Sequence, residues 1–375
     1  MTVDQHKSWE RTVFKIHSEM RDKDGLNPIE AASEISNLLI LKIIIENLEI
    51  PHKGLSPAKI RELFYQEIGK ISPLLTYQIS LSDSCLESVW DILCSLTIAN
   101  ADTDLVGGVI QKTVSPNSRS GMGQYFTPAE LIKFMVKIID PTRNCLVIDP
   151  FHGSAEFLIE ASNHIDENGV LESTNFYGIE KNPLIHKISV LKNMLCTSQL
   201  NLILGDGFSE TMNLPNGGLE SFDIVITNPP FGSKIQTKEI TNPEQYTIIQ
   251  DRKSINTETL AVERCLNYLK DGGKFGIVVP DSFLGNKNHN KIRNLLSERL
   301  DFRAIISLPI ETFTPFGANV KSSIIFGKKH DKKNLPSEKT LMIQINQIGY
   351  DSRGRKTNQN DLNSALLTIG DSLWK

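Results

Sequence analysis

Short apolar runs that alternate with helical stretches across residues 145–327 place the strongest constraint on the fold. The runs predict seven strands: Cys145–Asp149, Phe176–Ile179, Leu200–Leu204, Phe222–Thr227, Lys274–Val279, Phe302–Leu308 and Ser322–Gly327. Helices are predicted near most of them, at residues 128–139, 153–165, 183–196, 256–270 and 289–299. Continuously apolar strands joined by helices indicate a parallel sheet that is covered on both faces. We therefore predict an α/β fold with a mostly parallel sheet, whose last two strands are candidates for an antiparallel pair.

The residues before this alternation have a helical pattern instead. Apolar side chains such as Leu38, Leu41 and Ile45 recur at intervals of three to four residues. Helices are predicted at residues 5–21, 28–48, 56–70, 83–99 and 103–113. The polar, glycine-containing residues 115–124 then predict a linker. The predicted organisation is an all-α domain over residues 1–114, the linker over 115–124, a sheet domain over 125–330 and a tail over 331–375.

The composition is that of a globular chain with more than one domain. Among its 375 residues, 39% are hydrophobic and 22% charged, which excludes a disordered or fibrous protein. Forty basic against forty-four acidic side chains give a net charge of −4, which argues against a uniformly basic nucleic-acid binder. Residues 321–356 nevertheless hold nine basic and three acidic side chains, a difference of +6. This segment is either a strip that faces DNA or a partner, or a solvated surface.

Three successive predicted strands end in acidic residues, at the edge where a parallel sheet binds its ligands. Asp149 ends the first strand, and a turn of small residues, Gly153-Ser154-Ala155, leads from it into a helix. Small side chains let backbone N–H groups approach a bound phosphate or carboxylate. Glu180 ends the second strand, where an acid can bind ribose hydroxyls, and Asp206 follows the third, near the expected adenine. One such acid alone is usually a helix cap or a solvated charge, but together they predict an adenosine-containing cofactor.

The fourth predicted strand ends in Asn228-Pro229-Pro230-Phe231, the most specific motif of the chain. An Asn-Pro pair also ends strands for purely structural reasons. At this edge, however, the motif suits chemistry on the exocyclic amine of a purine. If the Asn228 side-chain oxygen and the Pro229 carbonyl accept hydrogens from that amine, its lone pair turns towards an incoming methyl group, and orientation supplies most of the catalysis. Phe231 would stack on a base extruded from its duplex.

The order of these motifs along the chain resembles that of the γ-class DNA adenine-N6 methyltransferases. The motifs are, in chain order, Gly123-Gln-Tyr-Phe-Thr-Pro128, Asp149-Pro-x-x-Gly-Ser-Ala155, Glu180, Asp206 and the Asn-Pro-Pro-Phe motif. The likeness is greatest to the modification subunit of type I restriction-modification systems. It implies a Rossmann-like, S-adenosylmethionine-dependent methyltransferase domain that needs no metal. It implies cofactor binding by Tyr125, Phe126, Thr127, Asp149, Gly153, Ser154, Glu180 and Asp206. It implies catalysis by Asn228, Pro229, Pro230 and Phe231.

The same resemblance implies the partners. The expected substrate is double-stranded DNA, and too little chain follows the last predicted strand for a domain that recognises a target sequence. We therefore expect a specificity (S) subunit to recognise the sequence, with a restriction (R) subunit as a second candidate partner. The helical domain would serve assembly and clamp DNA. No membrane segment is predicted, since the longest apolar run, 38–45, contains Lys42, and five dispersed cysteines fit a reducing cytoplasm.

The sequence leaves several alternatives open. An Asn-Pro-Pro-aromatic motif also serves protein-glutamine and RNA methyltransferases, and a chain that had lost cofactor binding would be a non-catalytic assembly subunit. The cofactor loop departs from the family pattern at Ala155, where glycine is commoner and alanine should fit, and at Glu156. The Glu156 carboxylate either caps the helix or repels the carboxylate of the cofactor. The polar segment 232–255 either closes over an extruded base or is a surface insertion.

Overall fold

The computed structural model describes residues 3–71, 77–96, 98, 126–166, 175–196, 199–209, 213–250, 252–330, 339–370 and 373–374. The chain divides into two compact units, one formed by residues 1–122 with 182–198 and the other by residues 123–181 with 199–375. The predicted helix over 103–113, the predicted linker over 115–124 and Tyr125 lie outside the described residues. Within those residues, no helix combines the length and the apolar composition that crossing a membrane requires.

The first unit is helical in its described part. Its helices are α1 (Val3–Asp24), α2 (Pro28–Asn47), α3 (Pro57–Ile71), α4 (Asp83–Leu93) and, after two helices of the second unit, α7 (Pro183–Leu195). A capping box starts α2: the Asn27 side chain accepts from the N–H groups of Ile29 and Glu30, and the Glu30 carboxylate accepts from the Asn27 N–H at 2.9 Å. Most of α2 is buried, including the polar side chains of Glu34, Asn37 and Lys42, and the helix packs against α7.

The predicted helix over residues 83–99 is wrong at its C-terminal end, because α4 ends at Leu93. The Ser95 N–H and the Ser95 hydroxyl both donate to the carbonyl of Ile92, the hydroxyl at 2.6 Å. That carbonyl would otherwise accept from the next helical turn. Serine side chains that bond to nearby backbone carbonyls in this way compete with helix continuation.

Among the described residues, the second unit is built on an eight-stranded sheet in the order β10-β8-β9-β7-β4-β1-β2-β3. Its strands are β1 (Val147–Asp149), β2 (Phe176–Glu180), β3 (Leu200–Leu204), β4 (Phe222–Thr227), β7 (Leu269–Pro280), β8 (Leu300–Ser307), β9 (Ser322–Lys329) and β10 (Leu341–Gln344). The first seven are the strands that the apolar runs predict. Only β9 runs antiparallel to its neighbours, β7 and β8, which confirms both the mostly parallel sheet and the antiparallel last pair.

The eighth strand, β10, lies in the segment that the sequence assigns to the tail. It pairs with β8 in parallel, from Leu341 opposite Ala304 to Gln344 opposite Ser307. It was missed because an edge strand keeps much of its surface in solvent and needs no apolar pattern: Met342 is 71% exposed.

The remaining elements surround this sheet. The helices of the second unit are α5 (Ala129–Ile139), α6 (Glu156–Asp166), α8 (Thr257–Tyr268), α9 (Asp281–Gly285), α10 (Asn290–Arg299) and α11 (Leu362–Ile369). The second unit also contains two separate two-stranded antiparallel sheets: β5 (Lys234–Gln236) with β6 (Ser254–Asn256), and β11 (Ile348–Tyr350) with β12 (Lys356–Asn360). The short α9, the two pairs and α11 were not predicted. A buried cluster centred on β4, β7 and α8 forms the core beneath the site.

Candidate active site

The carboxyl ends of the parallel strands place the predicted site residues along one edge of the sheet. Asp149 and Glu180 are the last residues of β1 and β2, Asp206 follows β3 by two positions, and Asn228 directly follows β4. These four strands are consecutive in the sheet, so their ends are neighbours. The crevice outside such ends is where open α/β sheets bind ligands. The structure therefore brings together side chains that are distant in sequence.

Asp149 braces the loop that follows β1. Its carboxyl is buried, and its Oδ1 accepts from the backbone N–H of Phe151 at 3.0 Å. Burial raises the pKa of Asp149 to about 7, and the charge of Glu180 acts in the same direction. The Thr227 hydroxyl and the Phe151 amide oppose this shift because they stabilise the ionised form. Asp149 thus titrates near neutral pH, at the base of the predicted cofactor loop.

The small-residue turn after β1 uses two left-handed backbone conformations. Gly153 has a φ of 55° and Ala155 a φ of 66°. Ala155 is fully buried and directly precedes α6, so the predicted helix over 153–165 starts three residues late. The alanine side chain is accommodated, but a left-handed backbone costs a residue that carries a Cβ on the order of 1 kcal/mol. This strain is the structural consequence of the departure from glycine.

Glu156, the second departure, lies in the first turn of α6. Its Oε1 accepts from the Ser154 hydroxyl at 3.3 Å. An acidic side chain at this end of a helix is stabilised by the helix dipole, which is the capping alternative of the sequence prediction. The same position puts a negative charge beside Ser154, one of the residues predicted to bind the cofactor.

Glu180 links the ends of β1 and β2. Its carboxylate is almost fully buried, and Oε2 accepts from the Gly153 N–H at 3.1 Å. The β2 backbone adds a second link, because the His152 N–H donates to the Ile179 carbonyl at 3.1 Å. The predicted ribose ligand therefore also holds the predicted cofactor loop in place.

Asp206 is held in a similar way at the end of β3. Its Oδ1 accepts from the Phe208 N–H at 3.0 Å, and its Oδ2 pairs with Lys181 Nζ at 2.8 Å. Gly207 must be glycine, because a Cβ there would collide with the carbonyl oxygen of Pro150. This close approach packs the loop after β3 against the loop after β1.

Asn228 is joined to the other predicted motif. Its Nδ2 donates to the Thr127 hydroxyl at 3.0 Å. Its Oδ1 is buried and, within the part of the chain that the structure describes, has no hydrogen-bond partner. Pro229 is buried, and Pro230 and Phe231 are half-buried. A buried amide oxygen without a donor is uncommon in folded proteins and marks a place where a ligand can supply one.

Phe126 is the other described residue of the Tyr125-Phe126-Thr127 segment. Its ring packs against that of Phe316, with centroids 6.1 Å apart. Phe316 ends a 3-10 helix, Ile310–Phe316, which follows β8 and was not predicted. Because β8 runs parallel to β7, this helix also lies at the carboxyl edge of the sheet.

Glu258 is a residue at this edge that the sequence prediction missed. It is 4% exposed in the first turn of α8, and its Oε2 accepts from the Gly232 N–H at 3.3 Å. Its Oε1 accepts from the Asn256 side chain at 3.1 Å. The only sequence signal was an acid at the start of a predicted helix, which ordinarily indicates a cap.

Segment 232–255 is packed against the unit rather than merely attached to its surface. Tyr246 and Ile248 are buried in the core cluster, and the Tyr246 hydroxyl donates to the carbonyl of Phe208. The buried Glu263 carboxylate accepts from the Thr247 N–H at 2.7 Å and from the Ile248 N–H at 3.2 Å. The segment thus forms a fixed connection between the loops after β3 and β4.

The basic residues of 321–356 that the structure describes do not form a single strip. The side chain of Lys329 is buried and donates to Glu220 at 2.9 Å and to the Leu269 carbonyl at 2.6 Å. Strand β9 runs antiparallel to β7, and its first residue, Ser322, pairs with Pro280 at the carboxyl end of β7. Lys329, the last residue of β9, therefore lies at the edge of the sheet opposite the site. Arg353 and Arg355 instead lie exposed between β11 and β12.

Comparison with known proteins identifies a matching family. The N-6 DNA Methylase family model matches residues 102–368. The methylase subunit of the type I restriction enzyme EcoEI from Escherichia coli is 27% identical over 241 residues, covering 62% of this chain and 48% of that protein. The corresponding StySPI subunit from Salmonella potsdam is 30% identical over 258 residues, covering 64% of this chain and 47% of that protein. The chain spans about half the length of these two relatives.

A solved structure supports the fold independently. The methyltransferase subunit of a type I restriction-modification system from Streptococcus thermophilus matches with a TM-score of 0.63 at 14% identity, covering 98% of this chain and 93% of that one. At this identity the likeness concerns the fold alone. It confirms the predicted Rossmann-like α/β class.

Proposed function

The chain belongs to the N-6 DNA methylase family, and from this premise we propose that it transfers a methyl group from S-adenosylmethionine to the N6 atom of an adenine in double-stranded DNA. One observation carries the proposal: the buried Oδ1 of Asn228 has no hydrogen-bond partner among the described residues and lies at the carboxyl end of β4. The proposed target supplies what this oxygen lacks, an N–H donor.

The chemistry follows from the groups at this strand end. The N6 lone pair of adenine is delocalised into the ring, so the amine is a weak nucleophile. Asn228 Oδ1 and the Pro229 carbonyl would each accept one N6 hydrogen, which turns the lone pair out of the ring plane. Phe231 would stack on the extruded base and offset part of the unstacking cost of a few kcal/mol. Positioning then supplies most of the rate, and no side chain needs to act as a nucleophile.

The loop after β1 has room for the proposed cofactor at Gly153. Among the described residues, a Cβ at Gly153 would meet no atom within 4 Å, whereas one at Gly178 would collide with the His152 ring. The acids Glu180 and Asp206 suit ribose hydroxyls and an adenine amine. The residues that would hold S-adenosylmethionine are Tyr125, Phe126, Thr127, Asp149, Gly153, Ser154, Glu180 and Asp206. When bound, S-adenosylmethionine supplies an electrophilic methyl group on its sulfonium.

We further propose that the chain is the modification subunit of a type I restriction-modification system and acts in the cytoplasm. The named relatives are methylase subunits of type I restriction enzymes, which supports assembly with other subunits. In this proposal an S subunit recognises the DNA sequence and an R subunit cleaves unmodified DNA. The helical domain over residues 1–114 and the tail over 331–375 would contact DNA or these partners, flanking the catalytic domain over 125–330.

The test is transfer of tritiated methyl groups to unmethylated genomic DNA, to RNA and to a release-factor-like protein. The chain is assayed alone and together with the proteins encoded beside its gene. We expect label on adenine N6 of DNA, and we expect Asn228→Ala to abolish it while the cofactor affinity measured by calorimetry stays within about twofold. Asn144→Ala, at an exposed position before β1 and at the edge of the sheet opposite the site, is the matched control.

Other results would contradict the proposal in distinct ways. Label on RNA or protein would indicate one of the alternative methyltransferases. Failure of the wild-type chain to bind S-adenosylmethionine at millimolar concentration would indicate a non-catalytic assembly subunit.

A further inference from the structure

Thr127 and Asn228 meet although one precedes the sheet and the other follows its fourth strand. The Thr127 hydroxyl accepts from Asn228 Nδ2 at 3.0 Å. Thr127 is itself well anchored, because the next residue, Pro128, is buried and its carbonyl accepts from the N–H groups of Leu131 and Ile132 at the start of α5. The buried face of α5 then packs on β4 and β7. The hydroxyl is therefore held next to a side chain at the carboxyl end of β4.

In the structure, this contact places the NH2 end of the Asn228 amide on Thr127. An asparagine side chain carries a donor, the NH2 group, and an acceptor, the carbonyl oxygen, and a rotation of 180° exchanges them. With Nδ2 bound to Thr127, Oδ1 is left on the other side, buried and without a partner among the described residues. A purely structural asparagine would be expected to satisfy its buried acceptor.

We propose that Thr127 is a positioning residue for Asn228: it holds the amide so that Oδ1 accepts from the target amine. This inference rests on the proposed function. It assigns Thr127 a second role besides cofactor binding, the only role that the family resemblance implies for it. Thr127 acts here through Asn228 and does not touch the reacting atoms.

The experiment compares Thr127→Val, which removes the hydroxyl at nearly constant shape, with Thr127→Ser, which keeps it. Thr142→Val is the matched control, since Thr142 is exposed and precedes β1, at the edge of the sheet opposite the site. Each full-length variant, with the partner proteins that methylation requires, is assayed for affinity towards S-adenosylhomocysteine and for the single-turnover methylation rate at saturating S-adenosylmethionine.

For Thr127→Val we expect the single-turnover rate to fall by roughly 10- to 100-fold, because small displacements of a catalytic group have effects of this size. The affinity for S-adenosylhomocysteine should fall by a smaller factor than the rate, and Thr127→Ser should recover most of the rate. A loss of affinity with an unchanged rate at saturating cofactor would overturn the inference and leave Thr127 a cofactor residue.

A thermal double-mutant cycle supplies a readout that does not depend on activity. The shifts in unfolding midpoint of Thr127→Val and Asn228→Ala should be clearly non-additive in the double variant, because both remove the same hydrogen bond. Additive shifts would overturn the inference. If the wild-type chain methylates no DNA but the shifts are non-additive, the proposed function is wrong, whereas the Thr127–Asn228 hydrogen bond is supported. If the wild-type chain methylates DNA but the shifts are additive, the proposed function is supported, whereas the role of Thr127 is wrong.

Discussion

Glu258 accepts a hydrogen bond from the backbone N–H of Gly232 and so joins the first turn of α8 to the residue that follows Phe231. The carboxylate is almost fully buried, and its other oxygen is bound by Asn256. The end of the Asn228–Phe231 motif is therefore held by a residue that belongs to no recognised motif.

Glu258→Ala should destabilise the protein and slow methyl transfer. The change removes the acceptor of the Gly232 N–H, and because Gly232 is exposed and water can replace that acceptor, we expect the free energy of unfolding to fall by about 0.5–1.5 kcal/mol. It also loosens the chain behind Phe231, so we expect the methylation rate to fall at least about tenfold. Denaturant unfolding and single-turnover methylation measure the two effects. As a control, replacement of the exposed Glu298 of α10 by alanine should change neither the stability nor the methylation rate. If Glu258→Ala left the methylation rate unchanged, Glu258 would have no part in positioning the motif.

Ala155→Gly should stabilise the protein, although glycine usually has the opposite effect. Ala155 adopts a φ of 66°, a conformation that glycine takes without a steric penalty. We expect the free energy of unfolding to rise by about 0.5–1 kcal/mol. Ala161→Gly, in the interior of the helix α6 that follows Ala155, should lower it by about 1 kcal/mol or more. Thermal unfolding of the two variants checks the prediction, and shifts of the same sign would show that the strain at Ala155 is absent.

Asp149 should make the stability depend on pH between about 4 and 7. The unfolded chain loses the Asp149 proton near the ordinary pKa of 3.8, but the folded protein keeps it until about pH 7. In this interval the folded state binds more protons, so the free energy of unfolding falls as the pH rises, by up to about 1.4 kcal/mol per pH unit.

Asp149→Asn removes this contribution and keeps an acceptor for the Phe151 N–H. The wild-type stability minus that of Asp149→Asn should therefore decrease from pH 4 to pH 7 and stay constant above. Unfolding midpoints at each pH measure this difference, with Asp271→Asn, an exposed site in β7, as the control. A difference that is flat across the interval would mean that Asp149 titrates normally.

Glu156→Gln should tighten cofactor binding. The Glu156 carboxylate lies beside Ser154 at the start of α6, where the carboxylate of the proposed cofactor would be held. Removing a negative charge at a helix N-terminus that binds an anion should improve affinity by about two- to fivefold, and less at high salt. Calorimetry with S-adenosylhomocysteine at two salt concentrations tests this. Glu130→Gln, in the exposed first turn of α5, is the control. Equal affinities of wild type and Glu156→Gln would show that the charge of Glu156 does not weaken cofactor binding.

The tertiary structure decided what depends on contacts between distant segments. Nothing in the sequence pairs Thr127 with Asn228 or Glu258 with Gly232, because each contact exists only once the sheet and its helices have packed. The same holds for β10, which pairs with β8 at the sheet edge while keeping a solvent-exposed face. It holds for α7 as well: it connects β2 to β3 along the chain but packs against α2 of the helical unit.

The sequence by itself determined the central strands, their order along the chain and the residues at their carboxyl ends. Burial on both faces demands continuous apolar runs, so the pattern of apolar residues was sufficient to predict β1 to β4 and β7 to β9. A parallel sheet then collects Asp149, Glu180, Asp206 and Asn228 at one edge. Side-chain orientation was not determined, because hydrogen bonds to partners far away in sequence select it. The Asn228 amide is the example: its place in the motif was evident from the sequence, but only the structure shows that its Nδ2 contacts the Thr127 hydroxyl while its Oδ1 has no partner among the described residues.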